Sequence, residues 1–304
     1  MTKSILILSN RSSGSSAVQR LLAQAADLKC VEKTRHHQNE SLYWTKAASV
    51  LGLPQHDMLD SEVPIPPAAA RQDLFALLQD NVAGYVPPAE SQPLTKALIF
   101  DGWRQLSAQF GPVFLEKSPH HLLQQSALSL IAEATEALAG EVEFMLVGLV
   151  RNPMDVLYSA FRRWKTPPEA LQYEWLIAYQ NLQDLAARLG DRVVIVRYED
   201  LVHSLAPLSP IFDFCNAAPS ASATKLNPHA LRRWRTSRSF GFSLDPEVKA
   251  LALAYGYDAD SLEHTVSPVM AQLWPSYQKA LRQFHQSTKW AKALYFQIRQ
   301  PDWL

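Results

Sequence analysis

Three runs of consecutive apolar residues, each cut off by polar or charged ones, limit what this chain can fold into. Ile5-Leu6-Ile7-Leu8 stops at Ser9-Asn10-Arg11. Phe144 to Val150 (FMLVGLV) stops at Arg151-Asn152-Pro153, and Arg192 to Val196 (RVVIV) at Arg197-Tyr198-Glu199-Asp200. Continuous rather than alternating apolarity marks strands covered on both faces, the pattern of a parallel sheet. After the first run, Ala17, Val18, Leu21, Leu22, Ala25 and Ala26 follow helical spacing. Helical patterns also cover 38–51, 94–111, 121–138, 154–165, 169–189, 206–215, 246–255 and 267–298, and 113–115 reads as a short strand. This alternation predicts one α/β domain over residues 1–304, three layers (α/β/α) on a central parallel sheet. Proline-dense segments 52–67 and 84–93 are expected to be lid-like insertions that shape an acceptor pocket together with Trp103 and Tyr43-Trp44.

Composition narrows the function. The 304 residues are 47% apolar and 19% charged, with 29 basic and 29 acidic side chains. Zero net charge disfavours nucleic acid or a membrane surface as partner but allows a local basic pocket. Cys30 and Cys215 stand far apart, in no metal-ligand or redox spacing, and fit free thiols in a reducing compartment. The opening apolar run is four residues long, too short for a signal or membrane segment. The expectation is a cytoplasmic protein; its oligomeric state is not readable.

The chemistry collects where the apolar runs end, the edge at which open parallel sheets bind ligands. Asn10-Arg11-Ser12-Ser13-Gly14-Ser15-Ser16 is a loop of small residues whose amides and hydroxyls, backed by a helix N-terminus, suit phosphate. It lacks the Gly-Lys-Ser/Thr ending of a Walker A loop. At the second run, Asn152 can cap the next helix, Pro153 suits its first turn, and Asp155 completes a capping-box-like arrangement. None of this accounts for Arg151 at the strand mouth, or for Ser159 on the helical face that carries Asp155, Arg162 and Arg163. An arginine fork with a hydroxyl further along makes a second phosphate cradle.

Taken together, SNRSSGSSAVQRLL, EKSPHHL, LVRNPMDVLYSAFRRW and VIVRYEDL resemble, in order, the motifs of the sulfotransferases that use 3′-phosphoadenosine-5′-phosphosulfate (PAPS). LRRWRTSRSF and LAYGY extend the resemblance to about residue 257. The resemblance implies the P-loop-NTPase-like sulfotransferase fold and transfer of a sulfuryl group to a hydroxyl or amine of a small acceptor, with PAP released and no metal. It places the 5′-phosphosulfate on Ser12, Ser13, Gly14, Ser15 and Ser16 and the 3′-phosphate on Arg151 and Ser159. Tyr198 is implied at the adenine, and Arg232, Arg233 or Arg235 as a cover over the 3′-phosphate, with Arg233 preferred. Relatives carry a cation in the slot that Ser12 fills here, so the charge on the bridging oxygen falls to Arg11 or Lys117.

The resemblance leaves the general base open. Glu40 and His120 rank first and His37 next, in the segments RHHQNESLYW and EKSPHHL. Two alternatives remain at this stage. One is a nucleotide kinase or NTPase, for which Leu98-Ile99-Phe100-Asp101 imitates a Walker B strand; the other is a non-catalytic nucleotide-binding protein, favoured by the displaced arginine.

Overall fold

The computed structural model describes residues 1–26, 28–36, 38–220, 226–237, 240–264 and 266–299. Four parallel strands form the sheet: β1 (Thr2–Ser9), β2 (Val113–Lys117), β3 (Val142–Val150) and β4 (Val193–Arg197), in the order β2-β1-β3-β4. The helices are α1 (Ser15–Ala26), α2 (Tyr43–Val50), α3 (Pro67–Asn81), α4 (Lys96–Gln109), α5 (His120–Leu123) and α6 (Gln125–Ala137). They continue with α7 (Pro153–Trp164), α8 (Pro168–Leu189), α9 (Tyr198–His203), α10 (Ser209–Cys215), α11 (Pro246–Ala254) and α12 (Pro268–Arg299).

The period of two along each strand divides the core. Leu6 and Leu8 of β1 join Phe114, Leu146 and Val150 in a cluster closed by α2, α3, α4, α6, α7 and α8. Ile5 and Ile7 face the other way with Leu115, Val147, Leu149 and Val196, under α1, α9 and α10. Both faces of β1 and β3 are therefore covered, as their unbroken apolar runs require, whereas β4, at the edge of the sheet, leaves Ile195 exposed, against the expectation for the third run.

Several expected boundaries shift for local reasons. The helix expected from residue 38 begins at Tyr43, because Leu42 takes a left-handed φ of 52°. The helix expected at 121–138 breaks at Gln124 into α5 and α6, Gln124 being extended, with its side chain bonded to both backbone groups of His56. Helix α3, not among the expected helices, begins with a proline in its first turn and buries Ala70, Leu74, Leu77 and Leu78 at helical spacing.

The two proline-dense segments separate in space. Residues 60–62 of the first line the cavity at the C-terminal ends of the strands. In the second, the Pro88, Ala89 and Gln92 carbonyls accept from Arg71 on α3, away from that cavity. Tyr43, Trp44 and Trp103 are fully buried in one aromatic cluster, with Trp44 and Trp103 ring centroids 4.9 Å apart. This corrects the expectation that they shape an acceptor pocket: they are core. The Walker B imitation also fails, since Asp101 lies in mid-helix on α4 and pairs with Arg104.

One packing constraint sits under the site. A Cβ on Gly148 of β3 would lie 2.7 Å from both methyl carbons of Leu182 on α8, itself fully buried. Gly148→Ala is expected to cost about 1–3 kcal/mol by overpacking, read as a lower urea midpoint at unchanged slope.

Candidate active site

The loop after β1 is held in a strained, concave form. Ser12 has φ 63° and Gly14 φ 89°, and left-handed residues in such a turn point successive amides to one side, forming an anion-binding nest. Ser15 and Ser16 open α1, where first-turn amides have no helical partner and the helix dipole is positive. From beneath, the Ser13 hydroxyl meets the Tyr179 hydroxyl at 3.1 Å, and Tyr179 donates to the Leu149 carbonyl at 2.9 Å. Gly14 rests on the Tyr198 ring, so closely that a Cβ would sit 2.8 Å from Cδ2 and nearer still to Cε2.

Arg151 is the clamp. Its guanidinium donates to the Ser12 carbonyl at 3.1 Å and to the Ala230 carbonyl at 2.9 Å, and lies 4.6 Å over the Tyr198 ring. Asn152 caps α7, accepting from the Met154 amide at 2.9 Å. The capping box expected with Asp155 does not form. Glu199 takes the Asn152 amide instead, at 3.0 Å, while one Asp155 oxygen accepts from the Arg232 amide at 2.7 Å. The other Asp155 oxygen is buried without a partner among the described residues.

Two cavities meet at these residues. The larger, about 340 Å³, is lined by Arg11, Ser12 and Gly14 to Ala17 of the loop, by His36, Gln38, Glu40, residues 60–62 and His120, and by Arg151, Ser159 and Arg163. The second, about 310 Å³, shares Arg151, Ser159 and Arg163 and adds Asp155, Arg162 and Arg233.

A buried charge cluster forms the far wall. Glu40 Oε1 is 2.7 Å from the Lys117 ammonium, and Glu40 Oε2 is 3.3 Å from His120 Nδ1 and 3.5 Å from His36 Nδ1. Burial raises the Glu40 carboxyl, but His120 and Lys117 outweigh it and hold the group at about 2. The other ring nitrogens of His120 and His36 face Glu62 at 3.9 and 3.8 Å.

The sequence-derived residues therefore occupy three kinds of place. Ser12, Gly14, Ser15, Ser16, Arg151, Ser159, Glu40 and His120 line the larger cavity, and Arg233 the adjoining one. Ser13, Tyr198 and Lys117 stand behind the walls as supports. Arg11 lines the cavity while paired with Glu174 at 3.0 Å. His37 lies outside the described residues. Sequence reasoning missed Glu62, Glu174 and Arg20. Arg20 is one helical turn beyond Ser16 and was within reach of a spacing argument; the two glutamates come from segments without a motif.

Two outcomes follow. Gly14→Ala is expected to lose about 1–3 kcal/mol of stability, since it meets both a left-handed φ and the Tyr198 ring, and to weaken anion binding, measured by urea unfolding and calorimetry. The Asp155 carboxyl is pushed up to about 6, chiefly by burial, with Arg151 opposing and Glu199 adding. A raised folded-state pKa gives stability that is present below the unfolded value of about 3.8 and lost as pH rises through about 6. Asn cannot ionise, so Asp155→Asn should compare better with the parent protein in melting temperature at about pH 8 than at about pH 5. The opposite ordering would remove the buried carboxyl from the account.

Comparison with known proteins bears on the fold and the family. Among solved structures, the sulfotransferase domain of the olefin synthase from Synechococcus PCC 7002 superposes with a TM-score of 0.55 at 22% identity, covering 84% of this chain and 95% of that one. The sulfotransferase domain from the curacin biosynthetic pathway gives a TM-score of 0.55 at 19% identity, covering 85% and 99%. These likenesses are of fold. Comparison with curated protein sequences gives no significant match. The profile described as "Sulfotransferase family" matches residues 4–218, and on that match over most of its length the chain belongs to the sulfotransferase family.

Proposed function

We propose that the protein moves the sulfuryl group of PAPS to a hydroxyl or amine of a small acceptor, releasing PAP. The observation that carries this is the pair of cavities joined at Arg151, Ser159 and Arg163, each with its own anion cradle. A nucleotide with anionic groups at both its 5′ and 3′ ends matches that shape; one with a single phosphate chain fills only half.

In this reading, the amides of Gly14 to Ser16 and the N-terminus of α1 hold the 5′-phosphosulfate, and Arg151, Ser159 and Arg233 hold the 3′-phosphate. Arg11 is the loop cation nearest the bridging oxygen, with Glu174 balancing its charge. Glu40, held at about 2, is a poor proton acceptor and acts as the positioning group for His120. His120 is the general base: its outward ring nitrogen takes the proton of the acceptor as the acceptor oxygen or nitrogen bonds to sulfur. The bond from sulfur to the bridging oxygen breaks, and its electron pair leaves on the 5′-phosphate of PAP. Lys117 supports this arrangement through Glu40.

The acceptor side, with Asp60, Ser61 and Glu62, is polar and acidic, which favours a molecule with several hydroxyls or an amine over a bare hydrocarbon. The similar domains from an olefin synthase and the curacin pathway support a small biosynthetic intermediate in that role. A reducing cytoplasm fits the two free cysteines.

The test pairs two variants. Arg151→Ala should weaken PAP about 10–100-fold more than it weakens adenosine 5′-phosphosulfate, whose own loss reports only the loosened Ser12 loop. His120→Ala should lower transfer from labelled PAPS to a panel of alcohols and amines by about 10²–10⁴-fold at unchanged PAP affinity. Equal losses for both nucleotides would take Arg151 out of the 3′-phosphate site, and unchanged turnover in His120→Ala would end the base assignment.

A further inference from the structure

We infer that His36, His120 and Glu62 form a binding site for one divalent transition-metal ion of the zinc type, in the acceptor half of the larger cavity. One ligand atom from each of the three lies within 4.8 Å of the others. The ring nitrogens facing Glu62 are 3.8 Å (His36 Nε2 to Oε1) and 3.9 Å (His120 Nε2 to Oε2) from its carboxylate. The imidazoles stand nearly perpendicular, at 83°, with centroids 5.8 Å apart. Donors on one zinc-like ion at about 2.0–2.2 Å sit within about 4 Å of one another, so these spacings close on an ion with small side-chain movements. Glu62 has room to make them, its side chain being 44% exposed.

Three separate segments deliver the ligands: the stretch before α2, the proline-dense segment 52–67 and the start of α5. No local sequence motif forces the convergence. Behind the ligands the layout continues. Glu40 Oε2 lies 3.3 and 3.5 Å from the Nδ1 atoms of His120 and His36, on the side away from Glu62. An anionic oxygen there favours the Nδ1–H form of each ring and leaves both Nε2 lone pairs for an ion, the outer-carboxylate arrangement common around histidine-bound metals. His36 Nδ1 also accepts the Gln38 amide at 3.4 Å, and metal binding replaces that long contact with the one to Glu40. Two imidazoles and a carboxylate suit zinc, cobalt or nickel and are too nitrogen-rich for magnesium or calcium. The fourth position opens on the cavity.

The site rests on this geometry and not on which group takes the acceptor proton. If His120 is the base, an ion on its Nε2 occupies the lone pair that the reaction needs, so zinc suppresses transfer and a chelator restores it.

The test uses the full chain without a tag, stripped of metal and titrated with Zn²⁺ against a chromophoric chelator, with Co²⁺ absorption as the spectroscopic readout. The expected result is one ion per chain and a tetrahedral Co²⁺ spectrum without thiolate charge-transfer bands. His36→Ala, His120→Ala and Glu62→Gln should each weaken Zn²⁺ at least about 10-fold while PAP binding is retained as the check on folding. Glu40→Gln should weaken it about 10–100-fold and shift the Co²⁺ bands, with partial recovery in Glu40→Asp. A Cys30→Ser/Cys215→Ser variant should bind as the parent does. Lack of stoichiometric binding by the parent, or equal binding by the triple ligand variant, overturns the site. Metal binding that leaves transfer untouched would sustain the site and sink His120 as the base; normal transfer with no metal binding would do the reverse.

Discussion

The contact on which most of the site depends is the Arg151 guanidinium on the Ser12 carbonyl. Ser12 holds a left-handed backbone that costs a non-glycine residue of order 1–3 kcal/mol, and such a conformation persists only where the surroundings over-determine it. Arg151 supplies that determination from the mouth of β3, stacked on Tyr198 from the mouth of β4. Three strand ends are thereby locked together through one cation, and the nest for the 5′ group and the cradle for the 3′ group share a side chain.

The same economy governs the other buried charges. Arg11 is matched by Glu174 on α8, and Lys117 by Glu40. A buried ion taken from water without a partner costs several kcal/mol, so each of these pairs fixes its members in place as well as balancing them. For Glu40 the consequence is chemical. A carboxylate held at about 2 by its neighbours keeps its charge and orients histidines; it does not take protons near neutrality. Glu174 also accepts the Leu59 amide, which ties the loop carrying Asp60 and Glu62 to the loop carrying Arg11. The acceptor wall and the donor loop are thus coupled through one carboxylate.

Much of this was legible in the chain. The unbroken apolar runs pointed to the parallel sheet, and their polar ends to the edge where the two cavities lie. Arg151 and Ser159 were separable from the capping residues around them because capping did not need them. What stayed illegible had physical causes. The aromatic cluster of Tyr43, Trp44 and Trp103 carries no sign in sequence of whether it faces a cavity or a core. Asp155 fits the capping-box pattern, yet Glu199, remote in sequence, reaches the amide first. Glu62 and Glu174 meet their partners only through long-range packing, and no periodicity or motif points to such pairs. Helix α3 buries Ala70, Leu74, Leu77 and Leu78 along one face, a spacing blurred in sequence by the alanines and Phe75 around it, and its stability comes from packing that face, with α2 among its neighbours.

The account stands or falls on a nucleotide anionic at both ends. Isothermal titration of the full chain with PAP and, separately, with ATP and Mg²⁺ tests this most directly. The account predicts one PAP per chain, bound far more tightly than ATP–Mg²⁺. Binding of ATP–Mg²⁺ as tight as that of PAP, or no binding of PAP, would contradict it.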